Sequence, residues 1–184
     1  MTIGQIKQSL GSLLEDAGDA ETFLENNPES QFARRTYIRS IFSCIEGTIS
    51  ILKDVCLKAK PQEGKRYISI EEFVLLKEAS YELGNNGKAK TTTKFLKLTD
   101  NIKFTFNILN RLFNSEIDLK LGKKEWSNLL ESIEVRNRIT HPKNSNSFTI
   151  TDEEITKCKD TISWFNDLSH QTFLSFVKSS SKNK

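Results

Sequence analysis

The sequence predicts an all-α fold, an antiparallel bundle of about five to six helices, from three observations. Apolar residues recur at three- and four-residue steps in one segment after another. Turn-forming clusters and capping sequences separate those segments at helix-like intervals. No convincing stretch alternates apolar and polar residues as a half-buried strand does. With 184 residues, 36% of them apolar and 28% charged, the chain suits one core rather than two. It therefore reads as a single domain over residues 1–178 with a flexible tail at 179–184.

The first helix is expected from Ile3 to about Asn26, with Ile6, Leu10, Leu13, Leu14, Ala17, Phe23 and Leu24 on one stripe. Asn26-Asn27-Pro28 stops it, because proline disfavours helix in the residue before it. A second and longest helix follows from about Ser30 to Ala59, closed by Pro61 and Gly64. Ser69-Ile70-Glu71-Glu72 is a capping box, serine accepting from the third amide while glutamate reaches back. The helix that it opens is expected to run to about Leu83, where Asn85-Asn86-Gly87 supplies a left-handed cap. Lys88 to Lys97, with three consecutive threonines, lacks an apolar period and reads as an exposed loop.

A fourth helix spans about Asp100 to Asn114, and a fifth runs from about Lys124 to Ile139 through Trp126, Leu129, Leu130 and Ile133. After the polar run Lys143 to Ser147, Thr151-Asp152-Glu153-Glu154 is a second capping box. It opens a last helix to about Lys178. Phe148-Thr149-Ile150 reads as a brief extended piece.

The net charge of +3 does not by itself define a nucleic-acid binder. The basic residues are nevertheless grouped, at Arg34/Arg35/Arg39, Lys88/Lys90/Lys94/Lys97, Lys120/Lys123/Lys124 and Arg136/Arg138/Lys143 among other places. Cys44, Cys56 and Cys158 are odd in number and widely spaced, which suits small core residues in a reducing compartment, the cytoplasm. No apolar run reaches the roughly 20 residues that span a bilayer, so no membrane association is expected. Neither a zinc-type cysteine pair nor a phosphate-binding glycine loop is present, and no metal or cofactor is expected.

The densest chemistry lies in Arg136-Asn137-Arg138-Ile139-Thr140-His141, followed by Pro142. On an ideal helix, residues five apart point about 140° away from each other. Pro142 changes this, because it pushes His141 out of helical geometry and frees the imidazole to swing off the helix end. Histidine exchanges protons near neutral pH, and an arginine fork suits phosphate oxygens. Basic residues in a last helical turn also offset the macrodipole without any catalytic role. On the second helix Arg35, Arg39 and Glu46 share one side, a spacing that by itself describes an exposed ion-paired face. His170, on the last helix, reads as an ordinary helix residue.

The pattern R-N-x-x-x-H from Arg136 to His141 resembles the signature of HEPN domains, all-helical modules that include metal-independent ribonucleases. Ala33 to Glu46 is similar to the second helix of that family, where an acidic residue faces the active site. Glu46 occupies the matching position. The resemblance implies an endoribonuclease with Arg136, Asn137, His141 and Glu46 as catalytic residues, and Arg35, Arg39, Arg138 and Lys143 as substrate contacts. Its partner would be RNA, cleaved through the ribose 2′-OH, and its working form a homodimer with facing motifs. Toxins and antiviral defence effectors are the settings implied, with an antitoxin or nucleotidyltransferase as partner protein. In toxins controlled by such transferases a tyrosine lies two residues after the motif histidine; here Lys143 stands there, which argues against that control. The alternative is a non-catalytic helical module that binds RNA, a nucleotide or a protein.

Overall fold

A computed structural model describes residues 3–59 and 68–181. Within them the chain forms α1 (Ile3–Asn26), α2 (Gln31–Lys58), α3 (Ile70–Leu76), β1 (Ala79–Leu83), β2 (Ala89–Thr93), α4 (Leu98–Phe113), α5 (Lys124–Thr140), a 3-10 turn (Ser145–Phe148) and α6 (Asp152–Ser181). Pro61 and Gly64, the expected stop of the second helix, lie outside the described residues, as do residues 182–184 of the expected tail. The helix α6 extends three residues past its expected end at Lys178.

Helix dominates, yet the all-α expectation is corrected in one place. α3 ends at Leu76, well before Leu83, and the expected loop from Lys88 to Lys97 contains a strand. β1 and β2 pair antiparallel, with Tyr81 opposite Thr91. Asn85-Asn86-Gly87 belongs to the turn of this hairpin: the Gly84 amide donates to the Lys88 carbonyl at 2.9 Å, and Gly87 has φ +71°. The left-handed freedom that ends a helix also closes a hairpin, so the residues were correctly seen as punctuation but of the wrong kind. Both expected capping boxes are formed. Ser69 accepts from the Glu72 amide, and Thr151 from the Glu154 amide.

The helices gather into two compact units. The first contains α1, α2 up to Thr48, α5, the 3-10 turn and α6 up to Phe173. Its helices run antiparallel in succession. Leu13 of α1 lies against Gly47 of α2, while Phe23 meets Phe32 across the connecting turn. A Cβ at Gly47 would stand 2.7 Å from a Leu13 methyl, so glycine permits this close approach. Between α5 and α6, Asn128 donates to Asp160, Ser132 shares a hydrogen bond with Thr161, and Arg138 pairs with Glu154. From Ser132–Thr161 to Arg138–Glu154 the numbers rise along α5 and fall along α6. Tyr37, Ile38, Ile41, Ile45, Leu129, Ile139 and Phe165 are almost fully buried, and Trp126 packs edge-on against Trp164.

The second unit holds α2 from Ile49, α3, the hairpin, α4 and the end of α6 from Leu174. Its core includes Leu52, Cys56, Leu76, Ile102, Phe106 and Leu109. Glu78 links α3 to β1 with φ +49°, a conformation that L residues rarely adopt. Its carboxylate accepts from Lys53 at 2.6 Å and from Asn101 at 2.9 Å, and Lys53 is itself buried. These bonds offset the backbone cost at Glu78. The three cysteines are free and buried, and burial pushes Cys56 up to about 12 and Cys158 up to about 11, so both are thiols at neutral pH.

Burial acts to raise the Glu78 carboxyl, but the hydrogen bonds from Lys53 and Asn101 outweigh it and hold the pKa below the usual carboxylate value. A folded pKa below the unfolded one means that this contribution is complete above the unfolded pKa and is lost as pH falls through the folded one. Glu78→Gln should therefore lower stability at pH 7 by about 2 kcal/mol, and should flatten its fall between about pH 5 and pH 3. Urea titrations across that range test this. An unchanged acid slope in the variant would contradict it.

Candidate functional site at the end of α5

α5 ends where its sequence says it must. His141 has φ −124°, about 60° from the helical value, which rotates its Cα–Cβ bond away from the helix path. Pro142 accounts for this break. The carbonyls of the last turn are still bonded: the His141 amide donates to Asn137 at 2.9 Å, the Thr140 hydroxyl to Arg136 at 2.7 Å, and Arg39 Nη2 of α2 to Ile139 at 3.3 Å.

Arg136 is held by two side chains of α2. Its Nη2 lies 3.1 Å from Glu46 Oε1, and its guanidinium carbon sits 5.2 Å from the centre of the Phe42 ring. The side chain is 26% exposed while that of Glu46 is 48% exposed. Arg136 is thus gripped from α2 by a carboxylate and an aromatic face four residues apart, which one helix presents on the same side. Its Nε is buried without a hydrogen-bond partner among the described residues.

The other arginines are engaged with backbone. Arg35 Nη1 donates to the Phe148 carbonyl at 3.0 Å and lies 5.6 Å from the centre of that ring. Arg138 Nη2 donates to the Thr149 carbonyl at 2.9 Å and pairs with Glu154 at 3.0 Å. The connection between α5 and α6 is further tied by Ser147, whose hydroxyl accepts from the Lys143 and Asn144 amides. Asn137, His141 and Lys143 are exposed.

The structure therefore brings Glu46 directly to Arg136 and places Arg39 on the carbonyl just before the motif's end. It does not join the imidazole to them: the His141 side chain makes no hydrogen bond among the described residues. His170 is exposed on α6. No group of three or more His, Cys, Asp or Glu side chains among the described residues is arranged to hold a metal ion, and no described helix is long and apolar enough to cross a membrane.

The contacts of Phe42 with Arg136 and of Phe148 with Arg35 are not among the sequence expectations. The signal for Phe42 was its place in the series Arg35, Arg39, Phe42, Glu46, whose steps of four, three and four make one helical stripe. The residue is 2% exposed, so Phe42 also belongs to the core.

Arg136→Ala removes an ion pair, a ring contact and buried side-chain stem together, and should destabilise the fold by about 2 kcal/mol. Glu46→Gln keeps the stem and ring contact, and the half-exposed pair is worth less than about 1 kcal/mol. Urea melts of both variants test this ranking; a larger loss in Glu46→Gln would contradict it.

No protein-family model, curated protein or solved structure matches the chain.

Proposed function

We propose that this chain is a metal-independent endoribonuclease of HEPN type, acting on single-stranded or looped RNA as a toxin or antiviral defence effector. The observation that carries the reading is an arginine clamped by Glu46 and Phe42 in the helical turn before an exposed, non-helical histidine. Fixed positive charge and a titrating group are the two things that metal-free RNA cleavage requires.

In the proposed reaction the ribose 2′-oxygen attacks the adjacent phosphorus. The 2′-O–P bond forms, the P–O5′ bond breaks, and the products carry a 2′,3′-cyclic phosphate and a 5′-hydroxyl. A histidine accepts the 2′-proton, and a histidine acid supplies one to the leaving 5′-oxygen. Arg136, whose Nη2 lies 3.1 Å from Glu46, meets the charge that builds on the non-bridging phosphate oxygens. Asn137 donates to the phosphate or ribose, and Lys143, Arg35, Arg39 and Arg138 contact neighbouring phosphates. A homodimer with facing motifs supplies base and acid from two copies of His141. A partner antitoxin belongs to the same proposal, with Lys143 in place of a modifiable tyrosine.

A binding-only module is the second reading. It is favoured by the use of Arg35, Arg39 and Arg138 on carbonyls of their own chain. Cleavage separates the two. Purified protein should cut RNA in excess EDTA, and His141→Ala should lower turnover at least about a hundredfold with RNA affinity kept. Arg136→Lys should likewise lose turnover more than affinity, because a point charge lacks the bidentate fork. Activity abolished by EDTA and restored by Mg²⁺ would contradict the ribonuclease reading, and RNA binding without cleavage would favour the module.

A further inference from the structure

α1 and α2 leave an open groove of about 470 Å³ between them, within the first unit. Asp16, Asp19 and Phe23 line it from α1, at steps of three and four residues; Phe32, Arg39 and Ser40 line it from α2. Its two phenyl rings stand edge to face with centroids 6.1 Å apart, yet Phe32 is 61% exposed and Phe23 40%. Asp16 and Asp19 are exposed and form no ion pair among the described residues. Arg39 joins the groove to the candidate site, because its Nη2 donates to Ile139, two residues before His141.

We propose that this groove is a nucleobase subsite for single-stranded RNA with a preference for guanine, a claim that rests on the RNA-directed function above. The groove combines a bare aromatic face with carboxylate acceptors beside a cation. A nucleobase is flat on its faces and carries N–H donors on its edge, and unpaired RNA bases are bound by stacking on aromatic rings with their edges hydrogen-bonded. The carboxylates of Asp16 and Asp19 repel phosphate, so the backbone is kept at the Arg39 side and the base is turned inward. Guanine offers N1–H and N2–H side by side, a donor pair that one carboxylate accepts with both oxygens; uracil has a single N–H on that edge. Asp19, one helical turn from Phe23, is the acceptor assigned to that edge.

The test uses the wild-type chain with fluorescein-labelled hexanucleotides whose 2′-positions are O-methylated, so that binding is read without cleavage. Replacing one uridine of a U6 sequence by guanosine should tighten binding about tenfold by anisotropy. Phe32→Ala, a change at an exposed position, should weaken the guanosine-containing oligonucleotide about tenfold or more. Asp19→Asn should erase the guanosine preference while keeping U6 affinity, because it exchanges an acceptor oxygen for a donor. Circular dichroism melts verify that both variants fold. Affinities unchanged by Phe32→Ala, the absence of any RNA binding, or self-association that Phe32→Ala abolishes without touching RNA would each overturn the subsite, the last by making the groove a protein interface. Cleavage of unmodified RNA, measured in parallel, keeps the two claims apart. Cleavage with no Phe32 dependence sinks the subsite alone, and Phe32-dependent binding without cleavage sinks the ribonuclease reading while leaving the subsite standing.

Discussion

Backbone carbonyls that no helix or strand satisfies must find donors, and in the first unit of this protein side chains of α2 supply several of them. Arg34, buried although charged, donates to Pro28 and to Ile150 and pairs with Asp152. Gln31 bonds both the carbonyl and the amide of Ile150. Arg35 takes the Phe148 carbonyl and Arg39 that of Ile139. A buried charge without such partners would be strongly destabilising, so the start of α2, the end of α5 and the start of α6 are fixed to one another as a set. The site inherits its geometry from that set. Arg136 meets Phe42 and Glu46 because the residues on either side of it are already held against the same helix.

The arrangement gives arginine two roles that differ in exposure. Arg34 is inside and bonded on both edges of its fork, which is a structural use. Arg136 sits at the boundary, with its guanidinium carbon over an aromatic ring and Nη2 beside a carboxylate. A guanidinium held in that way has less conformational freedom to lose on meeting an anion, which is what the proposed function asks of Arg136. Asn137, His141 and Lys143 are exposed.

Much of the fold was legible because its signals were local. The span of α1, the capping boxes at Ser69 and Thr151, and the proline after His141 rest on signals within a few residues of themselves, and each appears where it was expected, although Leu14 and Phe23 of the expected α1 stripe are exposed. The hairpin was missed because Tyr81 and Leu83 alternate over only five residues after a helical start, and because glycine and asparagine end helices and turn hairpins alike. Glu78 was also opaque: a non-glycine residue at positive φ is held by Lys53, 25 positions away, a partner that no local pattern reveals. At the site, Arg136, His141 and Glu46 were singled out from the sequence, and the Glu46–Arg136 contact joins residues 90 positions apart. The engagement of Arg35 and Arg138 with carbonyls of residues 148 and 149 depends on tertiary packing and left no trace in spacing.

The central claim is that the end of α5 is a metal-free RNA-cleaving site that uses the substrate's own 2′-oxygen. End-group analysis of the products by mass spectrometry tests it most directly, on an RNA cut at one position and on the same RNA with a single 2′-deoxy sugar immediately 5′ of that cut. The account predicts 2′,3′-cyclic phosphate and 5′-hydroxyl ends on the first and no cut at that position on the second. Products bearing 5′-phosphate, or an equal rate on the deoxy-substituted strand, would contradict it.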